Sequence, residues 1–110
     1  HVKWFIGHGG RIGAIGPGDE WPGEHLFFSI DLDAIDASQA PGVSARNPSG
    51  MAVAEAQRWA EAAGACDRVR SFDVMELCPP NDEGDRTARV AASLVLRFLA
   101  GFGRRARSGR

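Results

Sequence analysis

Apolar and polar positions along this chain fall into segments that switch between strand and helix periods. Leu26-Phe27-Phe28-Ser29-Ile30 is a nearly continuous apolar run, which predicts a strand buried on both faces, as in a parallel sheet flanked by helices. From Met51 to Ala63, Ala52, Ala56, Trp59, Ala60 and Ala63 recur at three- and four-residue spacing with Glu55, Arg58 and Glu61 turned outward. This predicts a helix capped by Ser49-Gly50 and ended by Gly64. Val69 to Leu77 reads as a second strand. Asp82 to Asp85 then offer caps for a helix through Leu99, with Val90, Ala91, Leu94, Val95 and Phe98 inside and Gly101 and Gly103 as its stop. Strand, helix, strand, helix with crossovers of this length predicts an α/β fold with a right-handed parallel sheet and functional groups at the carboxyl ends of its strands. Val2-Lys3-Trp4-Phe5-Ile6 is a candidate for one further short strand.

Candidate chemistry sits where those strands end. On an extended strand Asp31 and Asp33 would project from one face, roughly 6.5 Å apart along the chain. Two carboxylates so placed repel, and divalent cations are the simplest neutralisers. Hard oxygen ligands suit manganese or magnesium, and a close metal pair bridges such a separation. The competing assignment is structural, since an Asp at a strand end also accepts hydrogen bonds from the amides of a following turn. Glu76 closes the second strand. Three carboxylates from neighbouring strand ends are therefore expected to converge on one crevice.

The wider pattern is more specific than its pieces. Ser29-Ile30-Asp31-Leu32-Asp33-Ala34-Ile35-Asp36 leads into Ala40-Pro41-Gly42-Val43-Ser44-Ala45, and about forty residues on come Asp73-Val74-Met75-Glu76-Leu77, Pro79-Pro80 and Arg86-Thr87-Ala88-Arg89. Together these resemble the ureohydrolase family, the arginase, agmatinase and formimidoylglutamase group, over about Leu26 to Leu99. The resemblance implies the carboxyl-terminal part of a three-layer α/β/α parallel-sheet, arginase-like fold. On that basis residues 1–110 are a fragment of one domain, with 1–24 partly loop, 25–103 the core and 104–110 a basic tail. Asp31 matches the family carboxylate that bridges two manganese ions, Asp33 the one that binds the second ion, and Glu76 the one that holds the planar nitrogen group of the substrate. These roles fit the chemistry. A metal pair lowers the pKa of a bridging water toward neutrality, and a carboxylate facing a planar N–C–N cation accepts two parallel hydrogen bonds.

Within the group, Gly42-Val43-Ser44-Ala45-Arg46 and Asp85-Arg86-Thr87-Ala88-Arg89 look most like formimidoylglutamase. That resemblance implies hydrolysis of N-formimidoyl-L-glutamate to L-glutamate and formamide in histidine breakdown, with Arg46 or Arg86 as candidates to meet substrate carboxylates. Agmatinase and arginase are the alternatives. The Gly-Gly-Asp-His and Asp-Ala-His-x-Asp contexts that supply the family's other ligands are missing here, and His8 and His25 stand in neither. The 110 residues alone are thus expected to be inactive and to expose an apolar edge and face, with a homo-oligomer expected of the complete protein. A non-catalytic remnant or assembly module is the reading of a different class. A nucleotide-sugar transferase would account for Asp31 and Asp33 but not Glu76.

Composition narrows the field further. At 44% hydrophobic, 25% charged and a net charge of −1, the chain has the make-up of one soluble domain with no overall field to attract nucleic acid or acidic membrane. The tail Arg104-Arg105-Ala106-Arg107-Ser108-Gly109-Arg110 is basic and is expected to be a solvated, frayed end. Cys66 and Cys78 lack zinc-type spacing and read as reduced thiols. No apolar run reaches membrane-spanning length and no secretory leader is recognisable, so cytoplasm is the expected location. The glycine-rich stretch Gly7 to Gly18 fails the phosphate-loop spacing and reads as a surface connection. Asp36 is expected to brace its loop through backbone amides, and Asp73, inside an apolar strand, to be a partnered structural acid.

Overall fold

A computed structural model of the chain describes residues 16–107, with side chains through Arg105. The expected strand at Val2 to Ile6, His8, and most of the glycine-rich stretch lie outside the described residues. The elements are β1 (Leu26–Asp31), α1 (Val53–Ala65), β2 (Val69–Met75) and α2 (Arg86–Arg107), with short 3-10 turns at Leu32–Ala34 and Pro79–Asn81. β1 and β2 pair in parallel, joined through α1, so the predicted order and the α/β class hold.

Both helices cover the same face of the two strands. Phe28 and Ile30 of β1, with Phe72 and Val74 of β2, pack against Ala56 and Ala60 of α1 and Val90, Ala91, Leu94 and Phe98 of α2. The aromatic side chains carry this layer: Phe72 and Phe98 stack with centroids 4.3 Å apart, and Trp21 lies between Phe28 and Trp59 at 5.3 and 5.7 Å. Large stacked rings contribute beyond their buried area, about 1 kcal/mol a pair.

β1 departs from the expected double burial. Its side chains alternate, with Phe27 80% exposed on the outer face, and Met75, at the far end of β2 opposite Asp31, is 51% exposed. The described residues supply the sheet and one helical layer, and no described element lies on the other face. The same face carries Ser29 and Asp73, register partners whose side chains hydrogen-bond. Asp73 is therefore a partnered acid as expected, but on an exposed face.

Three glycines expected to stop helices lie inside them instead. α1 runs through Gly64 to Ala65, and α2 runs through Gly101 and Gly103 to Arg107. A Cβ on Gly64 would overlap the Phe98 carbonyl oxygen, and one on Gly101 the Glu61 carbonyl oxygen, so both glycines serve the backbone-to-backbone crossing of the helices. The basic tail is likewise not frayed where it is described. Arg105 donates to the carbonyls of Ala63, Gly64 and Val69 and stacks over Phe102, tying the end of α2 to the α1–β2 connection. Ser49-Gly50 does not cap α1, whose cap residue is Ala52.

Candidate functional site

Strand β1 ends at Asp31, two residues before the Asp33 that the strand-face argument needs within it. Asp31 caps the turn Leu32–Ala34: its Oδ1 accepts from Asp33 N–H at 2.8 Å. Asp31 and Asp33 are thus brought together by a tight turn rather than by the strand pleat, and one Asp31 oxygen does take the structural role of satisfying a turn amide. Asp31 keeps a second oxygen with no hydrogen bond among the described residues. Asp33 presents a more unusual atom: its Oδ1 is buried and has no hydrogen-bond partner among the described residues. Leaving a buried carboxylate oxygen unpaired costs on the order of 1–3 kcal/mol, so such an atom calls for a ligand or a function.

This donor pair fits a divalent cation. Two hard oxygen donors lie adjacent at a strand end, and one of them is desolvated in advance. The set is partial, because no group of three or more His, Cys, Asp or Glu side chains is poised around a common point among the described residues. His25 is exposed just before β1, at the amino end of the strand and away from this pair.

Glu76 follows Met75, the register partner of Asp31, by one residue. It is exposed and adopts φ 75, the left-handed region that a non-glycine residue enters at a cost of roughly 1–2 kcal/mol. Such outliers persist where the surroundings enforce them and cluster at functional positions. The Glu76 carboxylate makes no hydrogen bond or ion pair among the described residues, so it is available to a cation.

The loop between β1 and α1 is built locally. Asp36 accepts from the Ser38 amide and hydroxyl and from Gly50 N–H, and the Ser38 hydroxyl, its amide and the Gly50 amide together hold this carboxyl below its usual range. This is the bracing expected of Asp36. The same loop then folds back through Asp36 N–H to Met51 O and Met51 N–H to Ala34 O, both 2.8 Å.

A second layer of contacts joins the Pro41-Gly42 loop to the start of α2. Gly42 N–H donates to Thr87 Oγ1 at 2.7 Å, and Thr87, wholly buried, opens α2 beneath the Pro41-Gly42 loop. Asp82 accepts from the Thr87 and Ala88 amides. Burial raises its carboxyl, but those amides, the Thr87 hydroxyl and the Glu83 amide outweigh it and hold the group at about 2. Arg46 donates to the carbonyls of Pro41 and Asn81 at 2.8 and 2.9 Å, and Arg86 to that of Ser38 at 3.0 Å. Both arginines are therefore engaged with backbone. A Thr after an Arg at a helix start carries no periodic signal. The sequence marked this region through the caps at Asp82 to Asp85 and through Arg86-Thr87-Ala88-Arg89 in the family resemblance, without giving Thr87 a role of its own.

An open cleft of about 260 Å³ runs along the unpaired edge of β1, lined by Phe28, Ile30, Ile35, Met51 and Trp59 with Asp31 at its margin. Its walls are mostly apolar, which does not suit a cationic substrate. Cys66 and Cys78 form no disulfide. No described helix is long and apolar enough to cross a membrane.

Comparison with known proteins decides the family. The Arginase family model matches residues 18–101. The chain belongs to the arginase family. Relatives include the formimidoylglutamase of Halobacterium salinarum, 40% identical over 79 residues that make up 71% of this chain and 26% of that protein. The formimidoylglutamase of Ralstonia nicotianae is 40% identical over 78 residues, 71% of this chain and 24% of that one. Among solved structures, Trypanosoma cruzi formiminoglutamase with Mn2+ superposes with a TM-score of 0.70 at 36% identity, covering 73% of this chain and 27% of that one. Proclavaminate amidino hydrolase from Streptomyces clavuligerus gives 0.67 at 29% identity, covering 73% and 27%. The chain spans about a quarter of the length of the relatives it matches. Its strands and helices are accordingly a portion of the arginase-family α/β fold.

Proposed function

We propose that this chain works as the carboxyl-terminal segment of a manganese-dependent hydrolase of linear amidines, of formimidoylglutamase type. N-formimidoyl-L-glutamate is the substrate, and L-glutamate and formamide are the products. The observation that carries this reading is the buried, unpartnered Oδ1 of Asp33 beside Asp31 at the end of β1. The resemblance to formimidoylglutamases in three of the comparisons above gives it a chemistry.

Asp31 and Asp33 would hold the metal. When bound, a pair of divalent ions supplies a water whose pKa lies near neutrality. Asp33 contributes an oxygen that is already stripped of water, so little reorganisation accompanies ion binding. Asp31 contributes its free oxygen, while the other, fixed by the Asp33 amide, orients the carboxyl group. Glu76 would bind the amidine through two parallel N–H···O contacts, which set both its charge and its plane. Since only two donors to the ions come from this segment, the remaining ones belong to another part of the complete protein, and the 110 residues alone would not turn over substrate.

Arg46 and Arg86 are not assigned to the substrate, because their guanidinium groups are engaged with loop carbonyls. The test is a chimera in which residues 18–101 replace the matching segment of the Halobacterium salinarum enzyme. Manganese-dependent release of formamide from N-formimidoyl-L-glutamate, lost in Asp33→Asn, supports the reading. A folded chimera that loads manganese but hydrolyses only arginine or agmatine, or nothing, rejects it.

A further inference from the structure

The loop after β1 and the loop after β2 are fastened together around one residue, Gly42. The N–H of Gly42 donates to Thr87 Oγ1 at 2.7 Å in the protein interior, and its carbonyl accepts from Cys78 N–H at 2.7 Å. The Thr87 hydroxyl in turn donates a hydrogen bond to the Asp82 carboxylate, which also accepts from the Thr87 and Ala88 amides. Asn81 Nδ2 adds a bond to the Val43 carbonyl at 3.0 Å. A Cβ on residue 42 would stand 2.8 Å from the Cβ and carboxyl carbon of Asp82, so this approach is open only to glycine.

Glu76 lies directly beside this fastening. Met75, still within β2, anchors it on one side, and Cys78, bound to Gly42, anchors it on the other. The two residues between those anchors must absorb the change of direction, and Glu76 does so at φ 75. A left-handed glutamate relaxes unless its neighbours prevent it. The buried hydroxyl of Thr87 is the fixed point on which Gly42, and through it Cys78, depends.

We propose that Thr87 is a positioning residue for Glu76: through Gly42 its hydroxyl keeps Glu76 in the left-handed conformation, aiming the carboxylate at the planar cation. The inference rests on the reading of Glu76 as the amidine-binding group. It ties the loop that follows the proposed metal carboxylates Asp31 and Asp33 to the substrate clamp as a single unit.

The test has two arms. In the 110-residue chain, the three-bond HN–Hα coupling and Cα chemical shift of Glu76 report its φ directly. Thr87→Ser should retain the left-handed signature. Thr87→Val should lose it while the Asp31 to Asp33 resonances and overall dispersion persist. Should T87V fail to fold, Asn81→Ala, which cuts the neighbouring stitch, is read in the same way and should shift Glu76 in the same direction. In the chimera, T87V should raise KM for the amidine about tenfold with kcat within about twofold, and T87S should restore it, as expected for an interaction that orients substrate. A folded T87V chain with Glu76 unmoved, or a chimera whose kcat falls at constant KM, overturns the proposal. If the parent chimera itself is inactive, the functional reading fails, whereas the coupling of Thr87 to Glu76 is still decided by the first arm.

Discussion

Gly64 of α1 rests directly against the carbonyl oxygen of Phe98 in α2, with no room for a side chain between them. Gly101 makes the reciprocal contact with Glu61, so the two helices cross backbone to backbone. Alanine at either position gains helix propensity, about 1 kcal/mol, but forces the helices apart, and overpacking of this kind costs about 1–3 kcal/mol. Because the obstructing atom is main chain, it cannot rotate away and the loss prevails. Gly64→Ala and Gly101→Ala should each lower the urea midpoint. Gly103→Ala, with open space around it, should raise it slightly. Equal effects at all three positions would contradict the crossing.

Asp82 gives the fold an acid-sensitive joint. Its carboxyl is held at about 2 in the folded protein against an ordinary value of 3.8, so the folded state binds its proton less readily than the unfolded chain. The associated stability is complete above the unfolded value and is lost as pH falls through the folded one. Asp36, also lowered by Ser38 and Gly50, acts in the same direction. Melting temperatures of the parent and Asp82→Asn should therefore differ most above pH 4 and converge as pH approaches 2. A gap that is unchanged across this range would show that the charge on Asp82 is not what caps α2.

Glu76 separates stability from chemistry. Its left-handed backbone is strained, and glycine removes the strain at the expense of a more flexible unfolded chain. Glu76→Gly should therefore stabilise the 110-residue chain, by up to about 1 kcal/mol in equilibrium unfolding. In the active chimera the same change should abolish measurable saturation by the amidine. Glu76→Gln, which keeps the strain but loses the charge, should leave stability nearly unchanged and still raise KM. Destabilisation by glycine would mean that the Glu76 side chain contributes to folding.

The order of elements and the inner stripe of α1 were legible because they rest on local periodicity: Ala56, Ala60 and Ala63 recur at helical spacing and are buried. Asp36 was legible because its partners lie within its own loop. What escaped depended on distant partners. Gly64 and Gly101 look like stops until each is set against the other helix, Arg105 looks frayed until its three carbonyls are in place, and Thr87 has no signal until Gly42 arrives from 45 residues away. Asp31 and Asp33 are adjacent for a reason other than the one expected. The strand ends two residues before Asp33, and a 3-10 turn supplies the adjacency that the pleat was expected to provide.

Phe27 decides how the chain behaves alone. Its ring is 80% exposed on the outer sheet face, opposite Ser71, on a parallel strand pair whose other edges are unpaired within the described residues. Exposed apolar surface beside open strand edges favours association. Phe27→Thr retains a β-branched strand former and removes little packing, so the unfolding free energy should change by less than about 0.5 kcal/mol. Sedimentation velocity across a concentration series should show the parent chain associating and the variant shifted toward monomer. Phe28→Thr is the internal contrast, because Phe28 stacks on Trp21 and Phe72 and its loss should cost about 2–4 kcal/mol. If F27T associates as strongly as the parent, the contact lies elsewhere, and the exposed stripe of Leu96, Leu99 and Phe102 on α2 is the surface to alter next.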